Sequence, residues 1–297
     1  MKIAIVTCAD MLNYNSSVGS EDELIHEYLS DRGLDLTFAI WDSPSVVWKN
    51  YDLLLIKSPW DYFDKIAAFY SWLKNMKSEG IPMLNSTEII YWNADKIYLK
   101  EMQESEISIV PTLWLNKGSK FQPAALFDQL KCNKLIVKPR ISGGAKQTFS
   151  IERTDQAVWE KVYPLVDESN FMVQPFLEGI VTEGEYSLIF FNGKFSHCVL
   201  KKAKKDDFRV QHFLGGTIHP MEPPASILKQ AQHVIDLFAA DCMYARVDGV
   251  QVAGVLQLME LELIEPFLFL FSHKNGVKNY YNALQEAIQN LDHSNGS

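Results

Sequence analysis

Residues 3–8 predict a strand buried on both faces, since Ile3, Ala4, Ile5 and Val6 are apolar without alternation before the chain turns polar at Thr7. Residues 21–32 place Leu24, Ile25, Tyr28 and Leu29 at helical spacing and stop at Gly33, which predicts a helix. Short apolar runs at 36–41, 52–56 and 81–84 predict further strands. Between the last two, residues 64–78 carry Ile66, Phe69, Tyr70, Leu73 and Met76 on one helical face and end at Gly80. Strands alternating with helices predict a parallel, doubly wound sheet.

The pattern then changes. One helix is predicted over 87–104, and strands over 110–115, 135–139 and 171–177. Pro175 in the last of these predicts an edge or a crossing point, because proline brings no N–H to a ladder. Residues 186–191 and 195–200 flank Asn192-Gly193, a strong hairpin signal. A helix over 226–242, with Leu228, Ala231, Ile235 and Phe238 on one face, precedes strands at 244–250 and 258–266. Asp248 lies in the first of these. In the second, Glu260 and Glu262 are two apart, so both point to one sheet face. Two carboxylates on one face of a buried strand repel each other unless a cation sits between them, and Mg²⁺ is the hard, oxygen-seeking candidate. A solvent-facing strand side is the ordinary alternative, and the surrounding Leu, Met, Ile and Phe argue against it.

Three other stretches carry candidate chemistry. Lys138, in an apolar strand, runs into Arg140-Ile-Ser142-Gly143-Gly144-Ala145. A lysine followed by a glycine pair suits phosphate, since glycine lets backbone N–H groups close on oxygen anions; the same residues also fit a plain Gly-Gly turn. The loop 57–62 follows the third strand at its carboxyl end, where open α/β sheets bind ligands. Alternatively, Trp60 packs a seam between domains and Asp61 caps the next helix. Lys201, Lys202, Lys204 and Lys205 form a basic cluster that reads either as functional or as a solvated loop.

Composition narrows the class. The 297 residues exceed one minimal core and suit two or three subdomains. With 47% hydrophobic residues and 12% aromatic ones, the chain is globular rather than disordered. A net charge of −9 argues against nucleic acid or an anionic membrane surface as partner. No apolar run reaches the length of a membrane span, and the four cysteines show no CxxC spacing, so a reducing cytoplasm is expected. Neither a G-x-G-x-x-G after the first strand nor a P-loop occurs, which disfavours a dinucleotide-dependent oxidoreductase. Of 28 basic residues only five are arginine, and Arg140, Arg209 and Arg246 fall inside these motifs, as the planar fork for phosphate or carboxylate would require.

In this order the motifs resemble the ATP-grasp superfamily: Lys96, then Lys138 with Gly143 and Gly144, the strand Gln174 to Leu177, Arg209-x-Gln-x-x-x-Gly-Gly, and Asp248 with Glu260 and Glu262. Trp60-Asp61-Tyr62, Trp92-Asn93-x-Asp95-Lys96-x-Tyr98 and Glu260-Leu-Glu262-Leu-Ile-Glu265-Pro266 look like the branch of D-cycloserine ligase, and the chain is also similar to the ATP-binding half of bacterial glutathione synthetase. Two positions depart. Glu262 stands where many members have Asn, and Ser187 where peptide-forming relatives often have Arg.

The resemblance implies an α/β ATP-grasp fold. A parallel N-terminal domain (1–92) would be followed by an α+β lid with the glycine loop (93–176) and a C-terminal α+β subdomain (177–297), with ATP between the last two. It implies a biosynthetic carboxylate–amine ligase that makes an acyl phosphate, either joining two molecules or closing a ring. A small-molecule kinase on the same fold and a non-catalytic nucleotide-binding module are the alternatives. By the resemblance, Lys96, Lys138 and the loop Ser142, Gly143 and Gly144 would hold ATP phosphates, and Gln174, Pro175, Phe176 and Leu177 the adenine. Glu183 or Glu185 would meet the ribose or a lysine. Arg209 with Lys201 or Lys202 would stabilise the transferring phosphoryl group, and Asp248, Glu260 and Glu262 would hold Mg²⁺ or Mn²⁺. Asp10, Asn13, Trp60, Asp61 and Arg246 are the substrate candidates. The implied partners are small carboxylate and amine substrates, and a homodimer is compatible with the chain.

Overall fold

A computed structural model describes residues 1–9, 20–204, 209 and 215–295. The first layer contains β1 (Lys2–Thr7), α1 (Glu21–Ser30), β2 (Asp35–Ile40), β3 (Leu53–Ser58), α2 (Ile66–Glu79) and β4 (Met83–Leu84), and its strands run parallel in the order β2-β1-β3-β4. Ile3, Ile5, Leu53 and Leu55 are fully buried, as the unbroken apolar runs predict. Helix α1 starts where the Ser20 hydroxyl accepts from the Glu23 N–H at 3.2 Å. Helix α2 stops at Gly80, whose φ of 69° suits the residue without a Cβ.

The single helix expected over 87–104 is two, α3 (Thr87–Asn93) and α4 (Tyr98–Glu104). The break has a local cause. The Asp95 carboxylate accepts from the Ile97 N–H at 2.9 Å, and the Lys96 N–H donates to the Arg140 carbonyl at 3.1 Å instead of to its own helix.

The second layer contains β5 (Leu113–Leu115), α5 (Pro123–Leu130), β6 (Lys134–Pro139), β7 (Phe149–Glu152), α6 (Gln156–Glu168) and β8 (Phe171–Pro175), in the antiparallel order β5-β8-β6-β7. Trp159, Val162 and Phe127 of the helices pack on Leu135, Val137 and Val173. The strand bearing Pro175 is therefore interior, not an edge. Proline is tolerated because the Phe176 N–H points to β6, donating to the Lys134 carbonyl at 2.9 Å, so a donor at 175 would face β5, which pairs only with 171–173.

The third layer contains α7 (Gly179–Thr182), β9 (Glu185–Phe191), β10 (Lys194–Lys202), β11 (Thr217–Met221), α8 (Ala225–Phe238), β12 (Tyr244–Val252) and β13 (Val255–Glu262), antiparallel in the order β11-β10-β9-β12-β13. Asn192 and Gly193 turn the β9–β10 hairpin with φ of 46° and 72°. One face of this sheet (Tyr186, Leu188, Phe190, Ala245, Val247) packs on Ile227, Ala231 and Ile235 of α8. The other face is split: Ile189, Phe191, Val199 and Tyr244 join the core of the first layer, while the positions beyond them carry charge. The last helix, α9 (Gly276–Asn295), returns to pack beside α1. The strand expected over 258–266 leaves the sheet after Glu262, and no described helix is long and apolar enough to cross a membrane.

Candidate active site

Strand alternation and register assemble the charged half of the third sheet. Glu185 and Ser187 on β9, Lys201 on β10, Arg246 and Asp248 on β12, and Glu260 and Glu262 on β13 all point to one face. The register sets Lys201 opposite Glu185, Asp248 opposite both Ser187 and Glu260, and Arg246 opposite Glu262. Lys202, one residue on, is exposed on the far side of its strand. This face and the second sheet bound a cleft of about 270 Å³. The second sheet contributes Ile136, Lys138, Gln174 and Pro175, the segment just after it Leu177, and the loop after β6 Ser142, Gly143, Gly144 and Ala145. Trp60 and Phe63 reach in from the first layer, and Arg209 also lines the space.

The helix break explains the Trp92-to-Tyr98 motif. The Asn93 side chain and the Tyr98 hydroxyl both bond the Leu261 carbonyl, at 2.8 and 3.1 Å, so they serve the open edge of β13 in place of another strand. Asp95 receives Arg140 through two bonds, from Nε at 2.9 Å and Nη2 at 2.6 Å. Lys96 is thereby aimed into the cleft, where its ammonium donates to the Ser142 carbonyl at 2.7 Å and meets Glu260 at 2.9 Å. Lys138 lies nearby, and burial pulls it below the usual lysine range.

The pair Glu260 and Glu262 is met by cations of the chain itself, Lys96 and Arg246 respectively. The extra charge of Glu262, relative to the Asn of many ATP-grasp members, thus comes with Arg246 directly across the ladder. Asp248, 3% exposed, accepts from Ser187, from Arg246 Nε at 3.0 Å and Nη2 at 2.7 Å, and from Lys201 at 3.4 Å. Burial acts against its ionisation, yet Arg246 first and Lys201 next hold it well below the usual carboxylate range. Ser187 is thus committed to Asp248.

The fit to a divalent cation follows from this donor set. Among the described residues no three His, Cys, Asp or Glu side chains form a ready metal cage. Mg²⁺ does not need one, since it takes one or two carboxylates and completes its shell with phosphate oxygens and water. Glu260 and Glu262, 30% and 22% exposed, are accessible hard donors, whereas Asp248 is enclosed by its partners.

Other candidates fall outside the cleft lining. Asp61 accepts from the Trp41 indole at 2.6 Å and pairs with Lys65 at 2.6 Å. Glu183 is exposed, and the Phe176 ring lies under the Lys134 ammonium at 4.2 Å. Asp10 and Asn13 lie outside the described residues, as do 210–214 of the Arg209 segment. Sequence reasoning missed Phe63, Glu265, Phe267 and Phe269 as lining residues. Glu265 had a signal, a third carboxylate in one short acidic run; the aromatic rings had none. Burial pushes the Glu265 carboxyl up to about 7, while Lys96 opposes the rise and Glu260 adds to it.

Residues 3–85 match the family model described as the N-terminal domain of D-cycloserine synthetase DcsG. The cycloserine biosynthesis protein DcsG of Streptomyces lavendulae is 24% identical over 273 residues, 86% of this chain and 90% of that protein. A crystal structure of D-cycloserine synthetase DcsG superposes with a TM-score of 0.79 at 23% identity, covering 96% of this chain and 99% of the other. D-alanine–D-alanine ligase from Bacillus anthracis, in complex with ATP, gives 0.67 at 18% identity, covering 97% and 96%. With a parallel first layer and two antiparallel sheets enclosing a lysine- and carboxylate-lined cleft, the chain has the ATP-grasp fold, and the branch it resembles is that of D-cycloserine synthetase.

Proposed function

We propose that this chain is an ATP-dependent carboxylate–amine ligase acting on a small molecule. The observation that carries the reading is the meeting, in one cleft, of Lys96 and Lys138 with Glu260 and Glu262, beside the apolar wall of Ile136, Leu177 and Met259. A free carboxylate is a poor acyl donor because its leaving group is oxide, and phosphorylation supplies a better one. A carboxylate oxygen attacks the γ-phosphorus, the bond to the β–γ bridging oxygen breaks, and ADP leaves. The amine nitrogen then adds to the acyl carbon, loses its proton and expels phosphate, which carries away the original carboxylate oxygen. The protein contributes charge and position rather than covalent chemistry.

In this reading Lys96 and Lys138 hold phosphate oxygens, and Arg209 with Lys201 offsets charge on the transferring group. The main chain of 174–177 receives the adenine, with the Phe176 N–H already given to Lys134. Glu260 and Glu262 hold Mg²⁺, which when bound neutralises charge on the phosphates. Asp248 fixes the orientation of Arg246 and Lys201. The domain limits 1–92, 93–176 and 177–297 go with the same reading. The loop Ser142–Ala145 serves as the lid, and excluding water protects an acyl phosphate from hydrolysis. Its neighbours support that role: Lys146 pairs with Asp64 at 2.5 Å, which ties the loop to the first layer.

The test is isotopic. With ¹⁸O in the substrate carboxylate, label should appear in released phosphate. Label retained entirely in a phosphorylated organic product makes the chain a kinase instead. Before that, ATP with Mg²⁺ should raise the melting temperature and NAD should not. At ligand 100 times Kd the gain is about 2.7 kcal/mol.

A further inference from the structure

The segment after β13 is held in an unusual way. Five consecutive carbonyls each accept from a different side chain: Ile264 from Tyr244 at 2.9 Å, Glu265 from Trp60 at 3.0 Å, Pro266 from Lys57 at 3.1 Å, Phe267 from Arg246 at 2.9 Å, and Leu268 from His197 at 2.8 Å. The buried Glu21 carboxylate accepts from the N–H groups of Leu268 at 2.8 Å and Leu270 at 3.0 Å. Between those two bonds Phe269 has a φ of 52°. A bulky side chain in the left-handed region costs free energy and persists only where its surroundings over-determine it. What this clamped turn presents to the cleft is a ring. The Phe267 ring stands edge-on to Phe269 at 5.1 Å, and the Arg246 guanidinium lies 5.7 Å from the Phe269 centroid.

The apolar lining of the cleft is sorted by origin. The aliphatic wall of Ile136, Leu177 and Met259 belongs to the second and third layers. The rings of Trp60, Phe63, Phe267 and Phe269 belong to the first layer or to the segment clamped against it. Phe63 lies against the glycine loop, and the Trp60 indole N–H is already given to the Glu265 carbonyl. Phe269 is 4% exposed and forms a floor, whereas Trp60, Phe63 and Phe267 are half-buried, so part of each ring meets the cleft. A small polar acid would be served by the lysines and Arg246 alone and would leave these rings wetted. Ring edges and faces reward a planar partner beyond the area it buries, and a ligand's body seats on such a wall while a few polar groups fix its orientation.

We infer that the carboxylic acid activated in this cleft carries a planar, aromatic group close to its carboxylate, seated between Trp60, Phe63 and Phe267 on the Phe269 floor. The group is close to the carboxylate because Arg246, the planar fork of this site, adjoins the Phe269 ring. This rests on the ligase reading and narrows its substrate class.

The experiment uses the full chain and a panel of phenylacetate, indole-3-acetate, cyclohexylacetate and succinate. Binding is read by thermal-shift titration with ADP and Mg²⁺, and turnover by ADP release from ATP with hydroxylamine as the amine. The best aromatic acid should bind at least about fivefold more tightly than cyclohexylacetate, and succinate should be weakest. Phe267→Leu keeps apolar bulk and removes the ring. It should weaken the best aromatic acid about 5–10-fold while cyclohexylacetate and ADP stay within about twofold, and Phe267→Tyr should keep the aromatic affinity. Equal binding of the saturated and aromatic rings, a preference for succinate, failure of both aromatic acids at millimolar concentration, or a Phe267→Leu effect that falls on ADP overturns the inference; the last makes the rings part of the nucleotide site. Absence of any thermal shift with ADP or ATP and Mg²⁺ in the unmodified protein overturns the ligase reading beneath it instead.

Discussion

Replacing Glu21 by alanine removes the acceptor of three buried bonds, from Lys57 at 2.9 Å and from the N–H groups of Leu268 and Leu270. Lys57 and Glu21 are each 1% exposed, so the change leaves a lysine cation with the Pro266 carbonyl at 3.1 Å and, for a carboxylate, only Asp22 at 3.8 Å. Breaking a buried pair from one side costs about 3–5 kcal/mol. Asp22 softens that, while the two orphaned N–H groups add to it at about 1–3 kcal/mol each, so a loss of about 4 kcal/mol is expected for Glu21→Ala. Against a typical total of about 5–15 kcal/mol this is a large share. Lys57→Met should cost about 3 kcal/mol, because Glu21 keeps its two backbone donors. The double variant should cost less than the sum by about 2 kcal/mol, since both singles break one contact. Urea unfolding with an unchanged m-value measures the three losses. Hydrogen exchange should show the Leu268 and Leu270 amides opening first in Glu21→Ala. Single losses below about 1 kcal/mol, or strict additivity, would refute the idea that this pair clamps the loop to the first layer.

Three further outcomes are expected. The folded pKa of Glu265, about 7 against an ordinary 4.5, means that the folded state binds more protons between those values, so its contribution is complete below pH 4.5 and is lost as pH rises through 7. Glu265→Gln should remove up to about 3 kcal/mol of that pH slope in unfolding experiments, and an unchanged slope contradicts the assignment. A Cβ on Gly143 would lie 2.6 Å from Phe63 Cε1, so Gly143→Ala should lift the glycine loop, lowering ADP release more than thermal stability; equal losses in both would argue against a lid. Glu260→Gln removes both a metal donor and the partner of Lys96, and ADP release should fall by at least about 100-fold in rate, which activity near that of the unmodified chain would exclude.

Local pattern was enough for much of the architecture. Unbroken apolar runs gave away the buried parallel strands, Asn192-Gly193 marked its hairpin, and the two-residue spacing of Glu260 and Glu262 put both carboxylates on one face. These features depend on residues near in sequence, where period and turn chemistry act. Tertiary structure decided the rest, because it depends on partners far along the chain. The break that aims Lys96 exists because Arg140, 45 residues from Asp95, docks there. Which of Lys201 and Lys202 enters the cleft was settled by the pairing of β10 with β9. The cations that meet Glu260 and Glu262 come from a helix break and a neighbouring strand, which no spacing reveals. The path of 264–270, and with it the exposure of Glu265 to the cleft, is set by side chains from five separate segments, whose bonds can form only once the first and third layers have packed together.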